Sequence, residues 1–285
     1  MLGISGEARC CGIIGDPVEH SLSPAMHNAA FAALGLDFVY VPFRVKSGEL
    51  AGAISGMRAL NIRGLNVTIP HKVNVIPFLD ELDGLAGRIG AVNTIVNDSG
   101  ILKGYNTDAT GFLQALLING IEPKGKRVVI LGAGGASRAI SFILAKQGAS
   151  LVILNRLLEL GWAVELAGRI SQIFQTEVPA LELNRENLAK ALGEADILVN
   201  ATSVGMSPGI NETPVNPDLI KSGLVVFDVV YKPAKTRLLR DTEQAGARAI
   251  SGVEMLLWQG AVAFEMWTGV KAPVEVMRAQ VLGHE

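Results

Sequence analysis

Arg127-Val128-Val129-Ile130-Leu131-Gly132-Ala133-Gly134-Gly135-Ala136-Ser137 is the stretch on which the reading of this chain turns. An apolar run of strand length is followed at once by a glycine-rich turn, and the residues after it read as a helix to Gly148. In Gly132-x-Gly134-x-x-Ser137 the first glycine permits the tight turn and the second lets the backbone approach a pyrophosphate. The third position needs only a small residue, which Ser137 supplies although glycine or alanine is usual there. Gly132, Ala133, Gly134, Gly135, Ala136 and Ser137 are therefore candidate cofactor-binding residues of a Rossmann-type unit. The next strand, residues 150–154, ends at Asn155 and Arg156, where an NAD-binding unit places an acid for the ribose hydroxyls. An arginine there can grip a 2'-phosphate with its planar fork, so NADP is favoured and NAD possible. Arg156 reads equally as a solvated surface residue, and Glu159 nearby works against the grip.

Downstream, a long helix to about Phe174 precedes a short strand near Val178, a helix from Asn184 and strands at 196–199, 224–229 and near Arg248. Helices then cover 252–269 and the segment from Pro273; with no strand left to pair, they are expected to return to the first domain. Upstream, strands at 10–15, 38–43 and 62–67 alternate with helices, one from Pro24 with Ser23 as N-cap and one over 47–60, which implies parallel pairing. Asn97-Asp98-Ser99-Gly100 separates two extended runs as a hairpin turn would. Tyr105-Asn106-Thr107-Asp108 then opens a helix over 109–117, which Asn119-Gly120 ends. The expectation is an α/β protein in which residues 1–110 form a mainly parallel first domain, 111–250 a Rossmann-type domain, and 251–285 helices that pack back.

At 285 residues the chain is long for one core, and 49% hydrophobic content with 32 glycines suits buried parallel strands and tight turns rather than disorder. A net charge of -2 without runs of either sign excludes the basic footprint of a nucleic-acid binder or a polybasic membrane anchor. The first residues lack the apolar core of a signal peptide, and residues 128–154 are interrupted by Arg138 and Lys146, so neither export nor a membrane span is expected. Adjacent Cys10 and Cys11 point to opposite faces of a strand and read as reduced thiols of a cytoplasmic protein. Together with His20 and His27 they match no zinc spacing, so no metal is expected.

A second stretch carries the chemistry. Asn66-Val67-Thr68-Ile69-Pro70-His71-Lys72 ends a buried strand in a polar cluster halted by Pro70. Ligands of open α/β sheets sit outside the carboxyl ends of strands, where a partly desolvated lysine can donate and accept protons, though Lys72 is on this motif alone equally an ordinary surface lysine. Asp108 opens a helix, where a carboxylate is stabilised in its charged form. Ser21 and Ser23 flank Leu22 so as to face one way in an extended loop. With Thr68, Asn93, Tyr231 and Gln259 they are hydroxyls and amides of the kind that read a polyhydroxylated carboxylic acid, although each one alone reads first as structural, Ser23 as a helix cap.

Taken in order, Gly15-Asp16-Pro17-Val18-Glu19-His20-Ser21-Leu22-Ser23-Pro24, residues 66–72, Gly90 to Thr94, Asn106-Thr107-Asp108, Gly132 to Arg138, Asn200-Ala201-Thr202-Ser203-Val204-Gly205-Met206, Asp228 to Pro233 and Gly252 through Gln259 to Gly269 resemble the shikimate dehydrogenase family over almost the whole chain. The resemblance implies reversible NADP-linked reduction of 3-dehydroshikimate to shikimate, in aromatic amino-acid biosynthesis, by a monomer or homodimer. It implies Lys72 and Asp108 as the catalytic pair, Ser21, Ser23 and Tyr231 on the substrate carboxylate, and Thr68, Asn93, Asp108 and Gln259 on the ring hydroxyls. It also implies Val229 and Gly252 beside the nicotinamide. One departure stands out: where NADP-using members continue Asn-Arg with a threonine and a second basic residue, this chain has Leu157 and Leu160. An NAD-dependent quinate/shikimate dehydrogenase is the nearest alternative, and Ser21-Leu22-Ser23, where quinate-accepting relatives resemble Ser-x-Thr, favours shikimate; a non-catalytic nucleotide sensor on the same scaffold is the second, and the presence of both Lys72 and Asp108 counts against it.

Overall fold

The computed structural model describes residues 4–283. These divide into two compact units, one formed by the described residues up to Gly111 together with those from Leu257, the other by Phe112–Leu256.

In the first unit β1 (Arg9–Gly15), α1 (Ser23–Ala33), β2 (Phe38–Arg44), α2 (Leu50–Ala59) and β3 (Gly64–Val67) alternate, as the apolar runs and turn residues between them predict. They continue through β4 (Glu81–Leu82), α3 (Gly84–Ile89), β5 (Thr94–Asp98) and β6 (Ile101–Tyr105) to α4 (Asp108–Ile118), which crosses the boundary between the units. The six strands lie in the order β2-β1-β3-β5-β6-β4. β1 pairs in parallel with β2 and β3, whereas β5 runs antiparallel to β3 and β6. The β5–β6 connection is the expected hairpin, closed by Ser99 and Gly100 with φ of 53° and 93°. Two positive φ angles are the signature of the tight turn whose twist matches that of the strands.

One cap differs from the expectation. α1 begins at Ser23 itself, after Leu22, with no side-chain cap. The hydroxyl that ties this entry is that of Ser21, which accepts the Ser23 N–H at 3.2 Å. β3 begins two residues later than the apolar run suggests, at Gly64, where a Cβ would lie 1.9 Å from Nε1 of Trp267. β4 is a two-residue edge and the helix Arg237–Gln244 of the second unit is short and polar, so neither stands out from its pattern.

In the second unit β7 (Arg127–Leu131), α5 (Gly135–Lys146), β8 (Ser150–Asn155), α6 (Leu160–Phe174), β9 (Ala180–Glu182), α7 (Arg185–Glu194), β10 (Ile197–Asn200), β11 (Val225–Asp228), α8 (Arg237–Gln244) and β12 (Arg248–Ser251) form an all-parallel sheet in the order β12-β11-β10-β7-β8-β9. That is the doubly wound order, in which the chain starts at the centre and builds outward on both sides. Val129, Leu131, Leu154, Leu198 and Val226 lie in its core, consistent with strands buried on both faces. α9 (Gly252–Thr268) leads back into the first unit and α10 (Val274–Leu282) packs on α1, as expected for helices with no strand left to pair. Among the described residues no helix is long and apolar enough to cross a membrane.

Candidate active site

The polar cluster of the first unit is built where β3, β5 and α4 end or begin. Past Val67 the chain turns sharply: Thr68 N–H donates to Ile14 O at 2.9 Å and His71 N–H to Thr68 O at 2.9 Å. Gly15 makes room for the turn, since a Cβ there would lie 2.3 Å from Cγ2 of Thr68. His71, fully buried, is held by Nε2 against Val45 O at 2.6 Å and so anchors the loop rather than serving as a base. The Lys72 carbonyl accepts the Val92 N–H at 2.7 Å, which fixes the lysine backbone beside the entry to β5.

The Lys72 ammonium then meets Asp108, Nζ to Oδ2 at 2.6 Å, with only 15% and 6% of the two side chains exposed. Two residues that lie 36 apart in the chain thus form a largely desolvated ion pair. The other carboxylate oxygen, Oδ1, accepts Nδ2–H of Asn93 at 2.9 Å. Thr107 Oγ1 and Gln259 Oε1 lie 2.9 Å and 3.3 Å from the same amide nitrogen, and Asn93 Oδ1 accepts the Thr107 N–H at 2.7 Å. Below them Asn66 donates to Thr94 Oγ1 at 3.2 Å and accepts from the Tyr40 hydroxyl at 2.7 Å. Such a network can hold one carboxylate in place while its lysine partner exchanges a proton with a ligand.

Lys72, Asp108, Asn93 and Gln259 are therefore brought together by the fold. Ser21 and Thr68 are half-buried and Ser23 is buried at the entry to α1. Tyr231 belongs to the second unit, three residues beyond β11. Thr107 and Asn66 complete the network, although nothing in the sequence sets either apart as a site residue. The available signal was their place in the runs 66–72 and 106–108, but a buried threonine or asparagine is indistinguishable there from a cap or turn residue.

In the second unit the glycine turn has the expected form. Gly132 has φ of 97°, and a Cβ on it would crowd Ala201 and Thr202, whereas Gly134 faces open space. α5 starts with no side-chain cap, so its first-turn N–H groups are available to an anion, and these residues fit a pyrophosphate. Ser137 is fully buried and its hydroxyl donates to Gly132 O at 2.7 Å, which explains why a serine suits the third position: it braces the turn from inside. Asn155 is buried and donates to Glu159 O at 2.8 Å. Arg156 is 71% exposed on its side chain and is paired with Glu159. Val229 and Gly252 sit side by side at the ends of β11 and β12, where a Cβ on Gly252 would lie 2.4 Å from Val229 O. Asp228, fully buried beside them, accepts from Thr236 Oγ1 at 2.6 Å and Asn200 Nδ2 at 2.9 Å. Burial pushes its carboxyl up to about 6 against those hydrogen bonds. Among the described residues no group of three or more histidine, cysteine or acidic side chains is placed to hold a metal ion.

Three family models match consecutive parts of the chain: the shikimate dehydrogenase substrate binding domain over residues 13–95, shikimate / quinate 5-dehydrogenase over 116–230, and the shikimate 5'-dehydrogenase C-terminal domain over 252–282. A shikimate dehydrogenase (NADP(+)) of Moorella thermoacetica is 50% identical over 278 residues, covering 97% of this chain and 94% of that protein. A shikimate dehydrogenase solved in complex with NADP+ superimposes with a TM-score of 0.91 at 42% identity, covering 99% of this chain and 97% of that one. The enzyme from Listeria monocytogenes, solved with shikimate and NAD, gives 0.88 at 43% identity with 96% of each chain covered. With the strand order, the glycine turn and the lysine–aspartate pair in place, these likenesses leave one assignment: the chain belongs to the shikimate dehydrogenase family.

Proposed function

We propose that this chain catalyses the reversible NADP-linked reduction of 3-dehydroshikimate to shikimate, with Lys72 and Asp108 as its catalytic pair. The contact that carries the reading is Lys72 Nζ to Asp108 Oδ2 at 2.6 Å, in a unit whose remaining polar residues can read ring hydroxyls. Lys72 holds a proton at the C3 oxygen of the substrate, giving it up in reduction and taking it back in oxidation. Asp108, fixed by Asn93, orients the ammonium and accepts a ring hydroxyl. Thr68, Asn93 and Gln259 take the other hydroxyls, and Ser21 and Ser23 the carboxylate, to which the resemblance also assigns Tyr231. Bound at Gly132 to Ser137, with Asn155, Arg156, Val229 and Gly252, the nicotinamide cofactor supplies the hydride chemistry. The reading places the enzyme in the cytoplasm, which the free thiols of Cys10 and Cys11 suit, as a monomer or homodimer.

The test is a nicotinamide absorbance assay with shikimate and quinate, each with NADP+ and NAD+. Reduced cofactor should form fastest with shikimate and NADP+. Absence of turnover with shikimate under either cofactor would overturn the assignment, and faster turnover of quinate would move it to the quinate enzymes.

A further inference from the structure

The segment after β8 reads Asn155-Arg156-Leu157-Leu158-Glu159-Leu160, with Arg156 as its one cation. That guanidinium is already engaged. Nε donates to Glu159 Oε2 at 2.7 Å and Nη2 donates to Oε1 at 2.5 Å, so both oxygens of one carboxylate sit on one edge of the arginine fork. A phosphate gripped by arginine uses the same two-pronged edge. Leu157 and Leu158, 63% and 96% exposed, offer a phosphate no side-chain donor in exchange.

The turn itself does not depend on the carboxylate. Its main chain is closed by the Glu159 N–H on Arg156 O at 2.9 Å and by the Asn155 amide on Glu159 O at 2.8 Å. Glu159 therefore serves the backbone through its peptide group and Arg156 through its side chain. The pair stays charged near neutral pH, since Arg156 holds the Glu159 carboxyl below its usual range.

We propose that Glu159 is a specificity-determining residue, its carboxylate standing in for a 2'-phosphate on Arg156, so that an NADP-type ligand must displace it and an NAD-type ligand need not. The inference deepens the NADP reading and rests on Arg156 being the group that meets the 2'-phosphate. Its consequence is a narrowed preference between the two cofactors. An exposed arginine–carboxylate pair is weak, so displacement alone costs about fivefold in affinity at most. The displaced carboxylate, left close to a dianion, adds repulsion that grows as salt is lowered.

Calorimetric titration of the full chain at low ionic strength tests this, with adenosine 2',5'-bisphosphate and 5'-AMP as probes that differ only in the 2'-phosphate. Glu159→Gln, with Glu159→Ala as a second variant, should tighten the bisphosphate about three- to tenfold and leave 5'-AMP unchanged. The gain should vanish in an Arg156→Ala background. An unchanged bisphosphate affinity, or an equal change for both probes, overturns the role of Glu159. Arg156→Ala alone separates the two levels: if it weakens only the bisphosphate, the grip stands whatever Glu159 does. If it changes neither probe, the grip itself fails and the proposal with it.

Discussion

Asp108 is held from both sides, by the Lys72 ammonium on Oδ2 and by the Asn93 amide on Oδ1, with 6% of its side chain exposed. Proton transfer at a substrate oxygen belongs to the chemical step, so Lys72→Ala should lower kcat by roughly 10² or more with little change in substrate KM. Steady-state kinetics decide it, and a variant of near-normal kcat would remove Lys72 from the mechanism. Asn93→Ala acts differently: it strands a buried carboxylate oxygen and the Thr107 N–H, so a stability loss of about 1–3 kcal/mol should accompany the drop in activity, read as a lowered denaturation midpoint. Their places at a strand end and a helix start made the two charged residues candidates, but position alone reads equally as a surface lysine and an N-terminal acid, and only the family resemblance joined them as a pair. Thr107 and Asn66 were not, since their role depends on which side chains face them across the sheet. The inward turn of the Ser137 hydroxyl was hidden for the same reason.

At the scale of elements, the return of the C-terminal segment rests on one close approach. Trp267, near the end of α9, is fully buried and donates Nε1–H to Ile95 O at 3.1 Å, while Arg63 donates to Trp267 O at 3.0 Å. The indole lies over Gly64 of β3 so tightly that an added methyl group has no room, and the obstacle is a large rigid ring. Gly64→Ala should therefore destabilise the first unit by about 1–3 kcal/mol or more through overpacking, visible as a fall in Tm, whereas alanine at Gly56, which meets nothing within 4 Å, should not. The apolar runs of β7, β8, β10 and β11 and the turns between them made the Rossmann-type sheet legible in the amino-acid order alone, because strands buried on both faces are apolar through their middles and keep polar residues to their ends, such as Arg127, Asn155, Asn200 and Asp228. What periodicity could not supply was where β3 begins. That is decided by a tryptophan some two hundred residues away, the kind of contact that leaves no local trace.

Over the whole molecule the two units carry buried titratable groups of opposite sense. In the first, His27 is fully buried, stacked on Tyr40 at 4.5 Å and close to Trp267 at 5.3 Å, and burial lowers its pKa to about 3. A depressed pKa means stability that is complete above the unfolded value of 6.5 and is lost as pH falls toward 3, amounting to about 2 kcal/mol by about pH 5. In the second, Asp228 has its pKa raised from 3.8 to about 6, so its contribution is complete below 3.8 and is lost as pH rises through 6. Between pH 7 and pH 5 that unit gains about 1 kcal/mol from Asp228 while the first loses about 2 from His27. Acidification should therefore destabilise the first unit relative to the second. Amide hydrogen exchange corrected for intrinsic rates can follow this, with core amides of β1 and β5 losing protection between pH 7 and pH 5 and those of β7 and β10 keeping theirs. His27→Phe, which keeps an aromatic ring among aromatic neighbours, should abolish the loss in the first unit, and Asp228→Asn should flatten the response of the second. If β1 and β7 amides change protection in step across this range in the unmutated chain, the two buried groups do not govern its acid response.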